Sequence, residues 1–251
     1  MKRRRFFKIC AVGAGCIAAP SAFWPAGPVR AEARARSLLV HEGGAPVAAS
    51  ELATGVNYVF HYPYISTPCF LLRLPAAPEP RQLTTRDGEA YQWDGGVGPD
   101  GTVVAFSAIC AHRMAHPSRQ VNHISFRPNE TEFGSGHGVI ACCAENSVYD
   151  PAQGARVLGG PAPEPLAGIV LEHDAGDDSL HATGVVGGAM FHRFFTEYGA
   201  RLSIEYQGEA GGFAAEVEET TEVQRLDAFT AQTITCGVDP DSDDPGVLGR
   251  D

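Results

Sequence analysis

Basic charge is scarce once the first 33 residues are set aside. Those residues hold Lys2, Arg3, Arg4, Arg5, Lys8 and Arg30 against Glu32 alone. The whole chain has 19 Lys and Arg against 30 Asp and Glu, a formal charge of −11, so the remainder is more acidic still. Such a surface repels phosphate backbones and excludes nucleic acid as a partner. Uninterrupted apolar runs of about 20 residues, the length a membrane span needs, are also missing. The chain has no glycine-rich phosphate loop between a strand and a helix, no Gly-x-Ser-x-Gly elbow and no internal repeat. Phosphate-loop and serine-hydrolase chemistry are thereby set aside.

What the chain does contain is turn-forming residues and short apolar segments. Its 29 glycines and 18 prolines, with few helix-like runs, point to short strands joined by turns, and 44% apolar residues suffice for a packed core. "YVFHYPYISTPCFLLRL", "EAYQWDGG", "GTVVAFSAIC", "GHGVIACC", "SVYD", "ARVLGG", "AGIVLEHD" and "SLHATGVV" all read as strands. This predicts an all-β fold, an antiparallel sandwich or small barrel, over residues 51–185. Residues 34–50 read as a mobile lead-in. Residues 186–251 read as a short amphipathic helix in "AMFHRFFTEYGARL" followed by an acidic, partly disordered extension.

The first 33 residues read as an address. A basic start, a weakly apolar stretch broken by Pro20 and the small-residue pattern Ala31-Glu32-Ala33 form an export signal with cleavage expected after Ala33. "RRRFFK" resembles the twin-arginine signal, which exports folded proteins and suits one that takes up a metal cofactor first. A periplasmic location follows, with membrane association only if the signal is retained.

Two segments carry metal-ligand chemistry. In "AICAHRMAHPS", Cys110 and His112 lie two apart, so an extended stretch turns thiolate and imidazole to one side. "ACCAENSVYDPAQGARVLGGPAPEPL" supplies Cys142 or Cys143, followed by a proline-rich loop able to shield a buried site.

Together these segments resemble the Rieske iron–sulfur proteins. In that family a Cys-x-His loop and a Cys-x-x-His loop hold a 2Fe–2S cluster, two cysteines on one iron and two histidines on the other. The family's Ser-x-Tyr-Asp step matches Ser147-Val148-Tyr149-Asp150, and its shielding loop matches Gly160 to Leu166, with Pro161 and Pro163 over the cluster. The resemblance covers about residues 100–185 and implies that Ser147 and Tyr149 donate hydrogen bonds to the cluster's sulfurs. It also implies electron transfer, with a redox partner such as a quinol-oxidising cytochrome complex, a molybdenum oxidoreductase of the arsenite-oxidase kind or a cytochrome. Positively charged patches on such a partner would suit the acidic surface. No further domain provides the mononuclear iron centre of Rieske-type dioxygenases.

The chain departs from the family in three places. Ala115 and Ala144 stand where many members carry a disulfide pair, and "SFRPNETEFGSGHG" lengthens the stretch between the loops as an inserted hairpin or loop. The second histidine is missing. If Cys142 is the ligand, Glu145 holds that histidine's place; if Cys143 is, Asn146 does. A carboxylate binds ferric iron, whereas an amide is a poor ligand. His116 or His137 supplies an imidazole if the cluster recruits one from elsewhere. The competing readings are a structural zinc site on Cys110, His112 and Cys142 or Cys143, and an interaction module that kept the fold and lost the cluster. Cys69 reads as a buried small hydrophobe, with a Cys69–Cys236 disulfide the pairing open to an exported protein.

Overall fold

In the computed structural model, residues 31–129 and 138–236 are described. The expected signal's first 30 residues, the stretch 130–137 with His137, and the acidic end 237–251 lie outside them. Among the described residues there are fourteen strands: β1 (Glu32–Val40), β2 (Tyr58–His61), β3 (Pro68–Arg73), β4 (Arg81–Thr84), β5 (Ala90–Trp93), β6 (Val103–Ser107), β7 (Ile124–Arg127), β8 (Val139–Cys142), β9 (Ser147–Asp150), β10 (Arg156–Gly159), β11 (Gly168–Asp174), β12 (Ser179–Val186), β13 (Thr220–Glu222) and β14 (Gln224–Arg225). Helices α1 (Met190–Glu205) and α2 (Leu226–Phe229) complete the elements needed here.

Eight strands form one sheet in the order β13-β1-β12-β11-β6-β3-β2-β14, four form a second in the order β10-β9-β8-β7, and β4 and β5 form a hairpin. All pairings are antiparallel except that of β1 with β13. The all-β expectation holds, and β7 pairing with β8 makes the stems of the expected inserted hairpin.

Residues 34–50 are not a loose lead-in. Ser37 pairs with Ala182 and Leu38 with His181, while Leu38 to Val40 run beside Thr220 to Glu222. Local composition gave no sign of this because β1 reads as charged and small until its end. Its partners lie about 140 to 180 residues further on and decide its structure. The C-terminal strands likewise join the main sheet at both edges.

Helix α1 fulfils its apolar spacing. Met190, Phe191, Phe194 and Leu202 are buried in a core shared with Leu71, Ile169 and Leu180 of the large sheet. A second core lies between the large and small sheets, with Trp93, Phe106 and Ile140 around Cys110, Cys142 and Tyr149.

Cys143 and Cys236 form a disulfide across a sequence separation of 93. This corrects the Cys69–Cys236 pairing. Cys69 is fully buried in β3, where its thiol donates to the Tyr62 carbonyl at 3.0 Å. Cys236 is instead carried to the second loop by a backbone track, with Asn122 N–H donating to Gln232 O and Ile234 N–H to Asn122 O, both at 2.8 Å. Replacing Cys236 by Ala removes a cross-link over a long loop and should cost about 2–4 kcal/mol in urea-induced unfolding. An unchanged midpoint would mean that the backbone track alone seats the segment.

Candidate metal centre

The first loop leaves β6 and folds tightly on itself. Cys110 N–H donates to Ala115 O at 2.8 Å, and Met114 N–H to Cys110 O at 2.9 Å. This compact turn aims the His112 and Arg113 amides at the Cys110 sulfur. The second loop is the turn between β8 and β9, closed by the Cys142–Ser147 register pair. Asn146 takes a left-handed φ of 57°, which asparagine tolerates better than most residues. Here the Ala144 and Glu145 amides point at the Cys142 sulfur.

Strand alternation turns the two side chains of the doublet to opposite sides. Cys142 is fully buried and faces Cys110, whereas Cys143 faces the other way and is spent in the disulfide. Asn146 is exposed at the turn's tip.

Tyr149, also fully buried, stands over the sulfur pair. Its hydroxyl lies 3.3 Å from Cys110 Sγ and accepts the Ala111 N–H at 3.1 Å. The hydrogen bond from Cys142, helped by Tyr149 and the two amides, holds Cys110 below the usual thiol range. The same contact, with burial, pushes Cys142 up. Burial and the neighbouring Cys110 charge push Tyr149 up. A buried sulfur ringed by donors is a pocket arranged for thiolate charge.

A second donor pair lies beside the first. His112 Nδ1 is 3.3 Å from Glu145 Oε2, and Glu145 Oε1 accepts from Arg113 Nε at 3.1 Å. His112 Nδ1 is buried without a hydrogen-bond partner, and so is Ser147 Oγ in a residue 1% exposed. A buried polar atom without a hydrogen-bond partner is uncommon in a folded protein and calls for an explanation such as an absent ligand. Among the described residues no three His, Cys, Asp or Glu side chains converge as one ion requires. The donors fall into a sulfur pair and a nitrogen–oxygen pair, and that division fits a two-iron cluster better than a zinc ion. His116 is committed elsewhere, with Nδ1 2.9 Å from Met114 O and its ring edge-on to Phe194 and Tyr198.

The step after Ser147 and Tyr149 has its own local reason. The Asp150 carboxylate accepts Ala152 N–H at 3.0 Å and caps the short turn Pro151–Gln153 that leads into β10. The proline loop then returns to the site. Gly160 has φ +81°, and a Cβ there would meet Asn146 O at 2.2 Å, so only glycine lets the two loops touch so closely. Pro161 and Pro163 themselves face solvent, while Ala162 and Leu166 face the core. Alternate residues of an extended loop point opposite ways, so the prolines shape the cover and their neighbours form its inner face. Sequence reasoning overlooked Glu164, which is 4% exposed, and its partner Arg193 on α1. An acidic residue between prolines reads as surface, and only its burial shows otherwise.

No protein-family model matches the chain. Iodate reductase subunit IdrB from Pseudomonas sp. (strain SCT) is 30% identical over 139 residues, 55% of this chain and 57% of that protein. The same-named subunit from Denitromonas iodatirespirans is 30% identical over 139 residues, 60% of its own length. The chain thus spans less than two thirds of the curated relatives it matches. The soluble domain of Rieske protein II (soxF) from Sulfolobus acidocaldarius covers 61% of this chain and 78% of its own, with a TM-score of 0.42 and 22% identity. Cys110-Ala111-His112 and the Cys142 loop thus meet under Tyr149 and a proline cover in an all-β fold, the arrangement that the resemblance to Rieske proteins implies.

Proposed function

We propose that this protein is an exported one-electron carrier, holding a 2Fe–2S cluster on Cys110, Cys142, His112 and Glu145. The observation that carries this reading is the division of donors into a buried sulfur pair and a neighbouring His112–Glu145 pair, with Ser147 Oγ buried and unpartnered where the second loop enters β9. When bound, the cluster supplies a centre that gains and loses one electron without bond rearrangement in the protein.

The chain's own residues set the conditions. Four backbone amides and Tyr149 donate toward the sulfurs and favour a more negative, reduced cluster, which raises its potential. Ser147 Oγ is a further donor. Burial of Cys110 and Cys142 excludes water from the sulfur side. The His112 side chain is 24% exposed and opens on a surface cleft with Arg86, Arg113, Arg193, Thr196 and Glu197, which provides the short path along which a partner exchanges the electron. Likeness to subunits of iodate reductase favours a larger reductase subunit as that partner, with a quinol-oxidising complex or cytochrome at the other end of the transfer.

Iron, acid-labile sulfide and zinc measured on protein matured in its own host test this reading. About two irons and two sulfides per chain, with a visible spectrum and a reduced-state paramagnetic signal, are expected. Zinc alone, or neither metal, would leave a structural domain.

The reading includes export. Cleavage after Ala33 would leave most of β1, because its pairs with β13 and the Ser37 and Leu38 pairs with β12 all lie beyond Arg34. Amino-terminal sequencing of exported protein should begin near Arg34. Material starting at Met1 would make the segment an anchor.

A further inference from the structure

A charge pair outside the donor set joins the two rims of the site. Glu164, in the middle of the proline loop, has a side chain only 3% exposed. Its Oε1 accepts from Arg193 Nη2, and its Oε2 accepts the Arg86 backbone N–H at 3.0 Å. Arg193 belongs to α1, an element outside both sheets of the site, and the same Nη2 donates to Ala111 O at 3.2 Å. Ala111 is the residue between Cys110 and His112. Its own N–H donates to Tyr149 Oη, which lies 3.3 Å from the Cys110 sulfur. One guanidinium therefore begins a run of contacts through the Ala111 peptide and Tyr149 to the sulfur, and also fixes the cover.

We infer that Arg193 and Glu164 are positioning residues that latch the proline loop over the sulfur pair and fix the peptide between Cys110 and His112. A carboxylate this deeply buried is tolerated only while it is paired and hydrogen-bonded. Pro163 and Pro165 flank Glu164 and restrict its backbone, so the loop cannot rotate the carboxylate into water locally. The cheapest relief for an unpaired Glu164 is for the whole turn from Gly160 to Leu166 to lift, uncovering Cys110 and Cys142. Packing alone would not produce this behaviour, because Ala162 and Leu166 keep their apolar contacts whatever residue stands at 193.

The latch deepens the cluster reading but is tested without it, by hydrogen exchange on the full-length protein as isolated. The probes are the segment 160–166 and the first loop at 110–115, with β3 around Cys69 as the internal reference. Arg193→Ala should speed exchange in both probes by about tenfold or more while β3 is unchanged. Arg193→Lys, which keeps the charge but not the fork, should fall between that variant and the wild type. Glu164→Gln, near in shape, removes the charge that demands a partner. It should open both probes less than Arg193→Ala does, and Arg193→Ala added to it should have a smaller effect than in the wild type. Unaltered exchange in the probes would overturn the latch. So would an equal rise in β3, or Lys behaving as Ala. A wild-type protein without iron would remove the proposed function and leave this result standing.

Discussion

Cys110→Ser will yield a folded protein without colour and with less than about a tenth of the wild-type iron. Cys110 is 2% exposed, and its sulfur is the point where Tyr149, Cys142 and two backbone amides converge. All of these favour a thiolate. A serine hydroxyl is a hard donor that stays protonated at the pH where this thiol ionises, so it cannot replace the soft ligand. The fold should survive, because serine is smaller and Tyr149 Oη stands near enough to accept its proton; a loss of about 1–2 kcal/mol is expected. Cys142→Ser should match it in iron content. Cys143→Ser should retain the iron while losing the disulfide to Cys236. Full iron in the Cys110 variant would reject the ligand assignment, and iron lost only in the Cys143 variant would reverse the register.

The second large effect concerns the site beside it. Glu145→His should complete the usual pair of imidazoles and raise the reduction potential. Glu145 Oε2 is 3.3 Å from His112 Nδ1, so the carboxylate charge sits within a few ångströms of the proposed iron position. A unit charge at 4 Å and an effective dielectric of about 20 is worth roughly 4 kcal/mol. Its removal therefore shifts a one-electron potential upward by roughly 170 mV. The variant also releases Arg113 from its 3.1 Å contact with Glu145, and Arg113→Gln in the wild-type background separates that smaller contribution. Asn146→His should leave iron and potential unchanged, because Asn146 stands exposed at the turn's tip. Film voltammetry on both variants decides the matter. A potential that moves with Asn146→His and not with Glu145→His would place the ligand one residue further on.

The sequence alone determined the class of fold and singled out the candidate residues of the site. Short β-branched and aromatic segments between glycines and prolines were enough for β2, β3, β5, β6 and β8 to β12, because such side chains pack on a pleated surface, whereas β4, with one buried residue, carries no such local signal. The amphipathic spacing of Met190, Phe191 and Phe194 was enough for α1. Cys110, His112, Ser147 and Tyr149 could be named as candidates because short turns fix their spacing whatever surrounds them. Tertiary structure decided what depends on distant partners. Residues 32–40 became a strand because β12 and β13 present open edges to them. The Cys142–Cys143 doublet was ambiguous by one residue in the sequence. In the fold, strand alternation points its two side chains apart, Cys142 toward Cys110 and Cys143 toward Cys236, which is brought in along the Asn122 track. Glu164 and Arg193 read as surface charges, since nothing near either one in the chain announces the other. Their pairing arises where α1, the first loop and the proline cover meet, a contact that only packing can make.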